Sequence, residues 1–309
     1  MPRASRAPDY TMRHLAAFVA VADAGTISGA AERLHLSQSS VSAAVTELER
    51  ALRAQLCIRR RAHGVQLTPT GEAVLDRARA LLRQAGDLED VATGAQGLVS
   101  GPLAIGCYPS LGPTMLPSLL YEFTARYPGV NVEFHEDTQN RLHGRLEGGE
   151  LDLVIVYELD LPDEWHRVRL ASRQPSVFFA ADQPLAAGDG PIDLAALREE
   201  PMVLLDSPPS AQHALQLCAE AGFGPRIAFR THNYETARAF VGRGLGWTIL
   251  VQRPRLDVTY EGLPLVARLI GNPVVADVSV VIAWPQRSTP SRAARAFIKF
   301  ATEREHPSK

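Results

Sequence analysis

Apolar residues in the first seventy positions recur at helical spacing. Between Met12 and Ala24, His14, Leu15, Phe18, Val19 and Ala22 fall on one face, the pattern of an amphipathic helix. Gly25 ends that helix, and Thr26 or Ser28 caps a short one through Ala30, Ala31 and Leu34. His35 and Leu36 make a tight turn. Ser37 is a good N-cap for a third helix, in which Val41, Val45, Leu48 and Leu52 repeat at steps of four, three and four and must face a core. Two short strands, 56–60 and 65–67, with Gly64 at their turn, predict a small hairpin. From Pro69 or Thr70 a long helix runs to about residue 95, with an apolar seam of Ala73, Val74, Leu81, Leu82, Leu88 and Val91. A lone helix cannot bury such a seam. Either a helix from a second chain or the rest of this chain must cover it. Gly-rich residues 94–101 read as a hinge.

From residue 98 the pattern changes to alternating strands and helices. Strands are expected at 98–108, 131–136 and 151–157, with helices at 111–128 and 141–149 between them. Further strands are expected at 201–206, 226–230 and 247–251, with helices at 211–221 and 234–241. A strand at 278–284 and a helix at 292–300 close the chain. This rhythm predicts an α/β domain with a mostly parallel sheet covered by helices.

In such sheets ligands sit beyond the carboxyl ends of strands, where helix N-termini point inward. Four loops qualify: Tyr108-Pro109-Ser110, Thr138, the pair Ser207 and Ser210 around two prolines, and Thr231-His232-Asn233. Their amides and hydroxyls suit a carboxylate if they converge on one cleft. The competing reading is ordinary helix capping by Ser and Thr.

The polar side of the third helix carries a second candidate site. Gln38, Ser42 and Thr46 lie four apart, with Ser39 and Ser40 beside the first. Short hydroxyl and amide side chains let a helix approach base edges in a major groove, where Gln pairs with adenine N6 and N7. Alone, such a face is most simply a solvated one. After a short helix and a tight turn it has the arrangement of a helix-turn-helix, with Ser37 at the recognition N-terminus and Thr26 and Ser28 on the preceding helix. Arg59, Arg60, Arg61 and His63 then lie at the hairpin tip, placed for backbone phosphates or a minor groove.

Charge changes the picture modestly. The net charge is −2, but residues 1–71 carry nine Arg and five acids while the remainder is net acidic. A positive end on an acidic body fits docking of one end on phosphate. No apolar run reaches the roughly 18 residues of a membrane span. The N-terminus has no signal-peptide core, so a cytoplasmic protein is expected. Cys57, Cys107 and Cys218 are far apart and odd in number, fitting neither a zinc site nor a disulfide framework. They read as core thiols. A redox pair of Cys107 and Cys218 is the alternative.

Enzyme motifs do not appear. GRGLGW and GGELDL lack the G-x-G-x-x-G spacing between strand and helix. There is no G-x-S-x-G, H-E-x-x-H or phosphate loop, and the nine His do not cluster at ligand spacing. Neither a catalytic site, a cofactor nor a metal is expected.

The stretch LAAFVAVADAGTISGAAERLHLSQSSVSAAVTELERAL, with the later LTPTG, resembles the DNA-binding domain of LysR-type regulators. Arg53 stands where that family usually has Gly, and Ala43 where many members have Arg. G-x-L-x-I-G at 101–106, F-x-x-x-Y-P-G-V at 123–130 and G-x-L-D-L at 149–153 resemble the family's effector domains and, behind them, periplasmic binding proteins. The resemblance implies a multi-domain chain. An all-α-rich winged helix-turn-helix (11–69) and a long linker helix (70–97) precede an α/β two-lobed, periplasmic-binding-like domain (98–309). Lobe I would span 98–159 and 268–309, lobe II 160–267, with the chain crossing near 157–160 and returning near 265–269. It also implies double-stranded promoter DNA with dyad operators, a small-molecule effector with a carboxylate as candidate, and RNA polymerase as partners. Antiparallel linker pairing would build a dimer of dimers. Ser110 and Thr138 match positions that contact effectors in several members. The alternatives are a regulator whose effector domain takes no ligand, and a small-molecule binding protein without a DNA role.

Overall fold

A computed structural model describes residues 8–60, 64–92, 99–188 and 190–305. The chain opens with three helices, α1 (Met12–Ala24), α2 (Ile27–Leu34) and α3 (Gln38–Leu52). Side-chain oxygens set their starts. Thr11 accepts from the His14 amide (3.3 Å), Thr26 from Gly29 (3.1 Å) and Ser37 from Ser40 (3.1 Å), each satisfying an amide that the helix leaves orphaned. Left-handed residues set their ends: Gly25 (φ 66), His35 (φ 53) and Arg53 (φ 52). The Arg53 backbone adopts the conformation that favours Gly, which explains the Gly common at this position in the resembling family. Phe18, Val21, Val41, Val45 and Leu48 form the core, and Ala30 and Ala31 are small enough for the helices to cross closely.

The hairpin β1 (Cys57–Arg60) and β2 (Gly64–Leu67) pairs antiparallel. The tip residues Arg61 and His63 lie outside the described residues, as do the side chains of Arg59 and Arg60. Glu49 Oε1 accepts from the amides of Leu56 (2.7 Å) and Cys57 (3.0 Å), fixing the hairpin to α3. The Gly25 carbonyl accepts from Val65 N at 2.7 Å. A Cβ on Gly64 would lie 2.3 Å from that carbonyl, and one on Gly71 would lie 2.1 Å from Leu56 O. The closing Gly71 of LTPTG is therefore a packing requirement.

The long helix α4 (Pro69–Ala92) packs Leu75 and Ala78, with Val74 and Leu82, onto the N-terminal core. Ala73 and Leu81 of the expected seam are exposed. The Leu88 and Val91 side chains and the expected hinge before Val99 are not described.

The remainder forms two lobes. In the first, β3 (Ser100–Cys107), α5 (Gly112–Arg126), β4 (Gly129–Glu136), α6 (Gln139–Glu147), β5 (Leu153–Tyr157) and β6 (Trp165–Arg173) are joined by the late β13 (Val278–Pro285) and α9 (Arg292–Glu305). The sheet order is β4-β3-β5-β13-β6. Its β3, β4 and β5 are parallel, but β13 runs antiparallel to both β5 and β6. The second lobe holds β7 (Ser176–Ala180), β8 (Ile192–Asp193), β9 (Pro201–Leu205), α7 (Ser210–Glu220), β10 (Arg226–Thr231), α8 (Tyr234–Gly242), β11 (Thr248–Leu250) and β12 (Leu265–Asn272). Its sheets are β11-β7-β12-β8 and a parallel β9–β10 pair.

Two expectations are corrected. The two larger sheets are mixed and not mostly parallel: β13 returns from the second lobe antiparallel to β5 and β6, and β7 runs antiparallel to β11 and β12. The crossovers also move. The strand β6 pairs with β13 from Trp165 to Arg173, so the chain first leaves the lobe at 174–175, beyond the expected 157–160. It returns at 273–277, because Leu265–Leu269 pairs with β7 inside the second lobe.

Candidate nucleic-acid interface and inter-lobe cavity

Helix α3 turns Gln38, Ser39, Ser40, Ala43 and Thr46 to solvent, with Ser42 half-buried. Most of these groups have partners already. The Ser37 hydroxyl lies 2.9 Å from Ser39 Oγ and 2.8 Å from Ser40 Oγ, and Thr46 donates to Ser42 O at 2.9 Å. Arg50, lower on the helix, is paired with Glu47. The Gln38 amide has no partner among the described residues, so its donor and acceptor are both available at the helix N-terminus. On α2, Thr26 is occupied as N-cap, and the exposed Ser28 hydroxyl leans on it at 3.4 Å.

The second site lies where the lobes meet. Tyr108, at the end of β3, is buried, and its hydroxyl donates to Ser207 O (3.2 Å) and meets Ser210 Oγ (2.9 Å) across the gap. Ser110 Oγ meets Tyr157 Oη at 2.9 Å. Gln252 Nε2, beyond β11, donates to Thr114 Oγ1 of α5, a third bond between lobes. Burial pushes the Tyr108, Tyr157 and Tyr234 phenols upward, so all three act as neutral hydroxyls. Between Tyr157, Tyr234 and Gln252 remains a void of about 10 Å³, room for one water at most.

Beside this filled seam opens a cavity of about 440 Å³, within the size range of small-molecule sites. Helix α6 lines it with Gln139, Asn140 and His143 from one lobe, and α7 with Gln212, His213 and Gln216 from the other. Both triplets have the spacing i, i+1, i+4, so each forms one face of its helix. Trp165, Pro162, Pro208 and Pro209 supply flat apolar wall. His143 packs edge-on against Trp165 at 4.8 Å. Burial pushes His213 down, keeping its ring neutral near pH 7.

The sequence-derived loops are placed unequally. Tyr108, Ser110, Ser207 and Ser210 come together at the seam, with Pro109 half-buried beside them. Thr138 is the N-cap of α6; its own amide is taken by Asp137 Oδ1 at 2.8 Å, and its neighbour Gln139 reaches the cavity. Thr231, His232 and Asn233 lie beside Asp206, since Asp206 N donates to Thr231 O and His232 Nδ1 meets Asp206 O. That loop lines neither void. Thr231 Oγ1 accepts from Asn233 N, and Asn233 caps α8 through Thr236 N. Sequence reading missed the two Gln/Asn/His faces and Trp165. The available signal was a pair of polar i, i+1, i+4 triplets directly after two loops already marked as helix entries.

Comparison with known proteins gives two family matches. Residues 12–72 match the family model described as bacterial regulatory helix-turn-helix protein, lysR family, and residues 96–305 match that of the LysR substrate binding domain. The chain is 30% identical over 297 residues to YvbU of Bacillus subtilis, an HTH-type transcriptional regulator, spanning 95% of this chain and 98% of that one. It is also 30% identical over 251 residues to OxyR of Escherichia coli, a DNA-binding transcriptional dual regulator, covering 81% of each. Among solved structures, the C-terminal domain of a probable LysR family transcriptional regulator from Rhodococcus is 65% identical, with a TM-score of 0.65, over 66% of this chain and all of that one.

Proposed function

The chain belongs to the LysR family of DNA-binding transcription regulators with an effector-binding domain, and from that premise we propose that it reads an operator through Gln38 and senses a small molecule in the cavity between α6 and α7. The supporting observation is that one cavity takes three polar side chains from a helix of each lobe, α6 and α7, beside a hydroxyl bridge, Tyr108 to Ser210, that joins the same lobes. A ligand touching both helices binds one lobe arrangement better than another. That differential affinity is what shifts a conformational equilibrium. DNA is reached through Gln38 and the hydroxyls of α3, with Arg59, Arg60, Arg61 and His63 of the hairpin on flanking phosphates. Two chains paired along α4, through exposed positions such as Leu81, would present two recognition helices to a dyad operator. Pairing of effector domains would make a tetramer able to bend DNA and change polymerase access. Such work is cytoplasmic; no described helix is long and apolar enough to cross a membrane.

Some relatives are named for hydrogen peroxide. For this chain a thiol response is the weaker reading. Cys57, Cys107 and Cys218 are buried in three separate cores. Burial raises Cys107 and pushes Cys218 up to about 11, disfavouring the reactive thiolate.

Filling the cavity tests the sensing site. With the small-molecule fraction of the host cell added, operator affinity should shift for wild type and should not shift for His213→Trp. An equal shift in both would put the effector elsewhere.

A further inference from the structure

The chemistry of the cavity wall defines the class of ligand, an inference that rests on the sensing site proposed above. Among the residues lining the cavity, Asp160 is the sole carboxylate, the basic groups are the imidazoles of His143 and His213, and there is neither Arg nor Lys. The adjacent cation, Arg167, already donates to Pro162 O (3.0 Å) and faces Glu158 (3.4 Å). The α6 N-terminus, which would otherwise favour an anion, holds the Asp137 carboxylate on its Thr138 amide. At α7 the Ser210 hydroxyl is taken by Tyr108. A carboxylate entering here meets an acidic side chain, finds no Arg or Lys to pair with, and faces in His213 an imidazole that burial holds toward its neutral form.

Unpartnered acceptors point the same way. Gln139 is 7% exposed, and its Nε2 donates to Leu159 O at 2.5 Å. That bond fixes the amide orientation and leaves Oε1 buried with no partner. Gln252, in the adjoining small void, repeats the arrangement: its Nε2 is held by Thr114 and its Oε1 is unpartnered. Buried acceptors without donors are rare in native proteins. A ligand bearing N–H or O–H groups supplies the donor at Gln139. The walls set its shape, because Trp165 and the rings of Pro162, Pro208 and Pro209 are flat and apolar and suit a ring. Asn140, Gln212 and Gln216 can both donate and accept around its edge.

We propose that the cavity between α6 and α7 takes a flat ring compound with N–H donors, neutral or singly protonated, and that it discriminates against carboxylates. The carboxylate candidate drawn from the sequence gives way to this class.

Benzamidine, benzamide and benzoate share one shape and differ in charge and donors. Binding of each to the full-length protein can be followed by NMR to about 10 mM, as fragment affinities are weak. The Trp165 indole N–H, assigned with Trp165→Phe, reports on the site. Benzamide and benzamidine should bind at least about tenfold tighter than benzoate, shifting the Trp165 signal. Gln139→Met should remove that preference. Gln212→Arg, at the exposed rim where folding is not at stake, should turn it toward benzoate. Benzoate binding as tightly as benzamide at Trp165 would overturn the ligand class while leaving the sensing site intact. Silence of the Trp165 signal with all three probes would overturn the class, and binding that shifts other resonances only would overturn the sensing site as well.

Discussion

The hydroxyl of Tyr108, at the end of β3, meets the hydroxyl of Ser210, the first residue of α7, at 2.9 Å. One residue belongs to each lobe, and the tyrosine is 1% exposed. The bridge is thus a partly buried bond, anchored on a buried tyrosine, that must break if the lobes separate. Tyr108→Phe keeps the ring and removes the bond to Ser210 and that to Ser207 O. It should lower unfolding stability by about 1–2 kcal/mol and speed amide exchange at the start of α7. Unchanged exchange there would mean that the hydroxyl does not latch the lobes.

Two glycines of α4 should respond oppositely to alanine. A Cβ at Gly71 would sit 2.1 Å from Leu56 O, whereas one at Gly86 meets nothing within 4 Å. Gly71→Ala should destabilise the N-terminal domain by at least about 1–3 kcal/mol. Gly86→Ala should stabilise the helix by about 0.5–1 kcal/mol. Thermal melts of the two variants check both signs at once.

Asp76 of α4 faces Glu150, beyond α6. Burial first, then the Glu150 charge and a hydrogen bond to Glu150, push its carboxyl up to about 6, against the opposing pull of Arg79 and Arg145. Asp23, Arg33, Glu133 and His135 line the adjoining cavity. The pKa in the docked arrangement lies above the ordinary 3.8, so docking takes up a proton. The contribution to the contact is complete below pH 3.8 and is lost as pH rises through about 6. Amide exchange in α4 should therefore quicken between about pH 4 and about pH 6.5, beyond its intrinsic pH dependence, and level off above. Asp76→Asn should abolish that excess. An excess that persists in the variant would assign the effect to another group.

The N-terminal domain was legible because local signals agree there. Thr26, Ser37 and Gly25 act as caps within a few residues of their targets, and the apolar spacing of α3 faces one core. The strand β6 was not legible. Arg167, Arg169 and Arg173 interrupt it, and a register shift at Val280/Val281 breaks the alternation that marks a half-buried strand. That loss displaced the expected lobe boundary. The cavity was illegible for a different reason. Gln139, Asn140 and His143 look like a solvated helix face until α7, far along the chain, closes over them with Gln212, His213 and Gln216. The seam residues Tyr108, Ser110, Ser207 and Ser210 could be found because strand ends and helix starts attract ligands by general rule. The same rule also selected Thr231, His232 and Asn233, which the structure uses beside Asp206 and as the cap of α8.

The reading of DNA by α3 is tested most directly by gel shift on the DNA upstream of the protein's own gene, across a salt series, for wild type and Gln38→Ala. Wild type should bind specifically, with affinity falling steeply as salt rises. Gln38→Ala should lose on the order of 1–3 kcal/mol of discrimination between operator and unrelated duplex, with the salt slope unchanged. Equal weakening on both DNAs would contradict the claim that Gln38 reads a base.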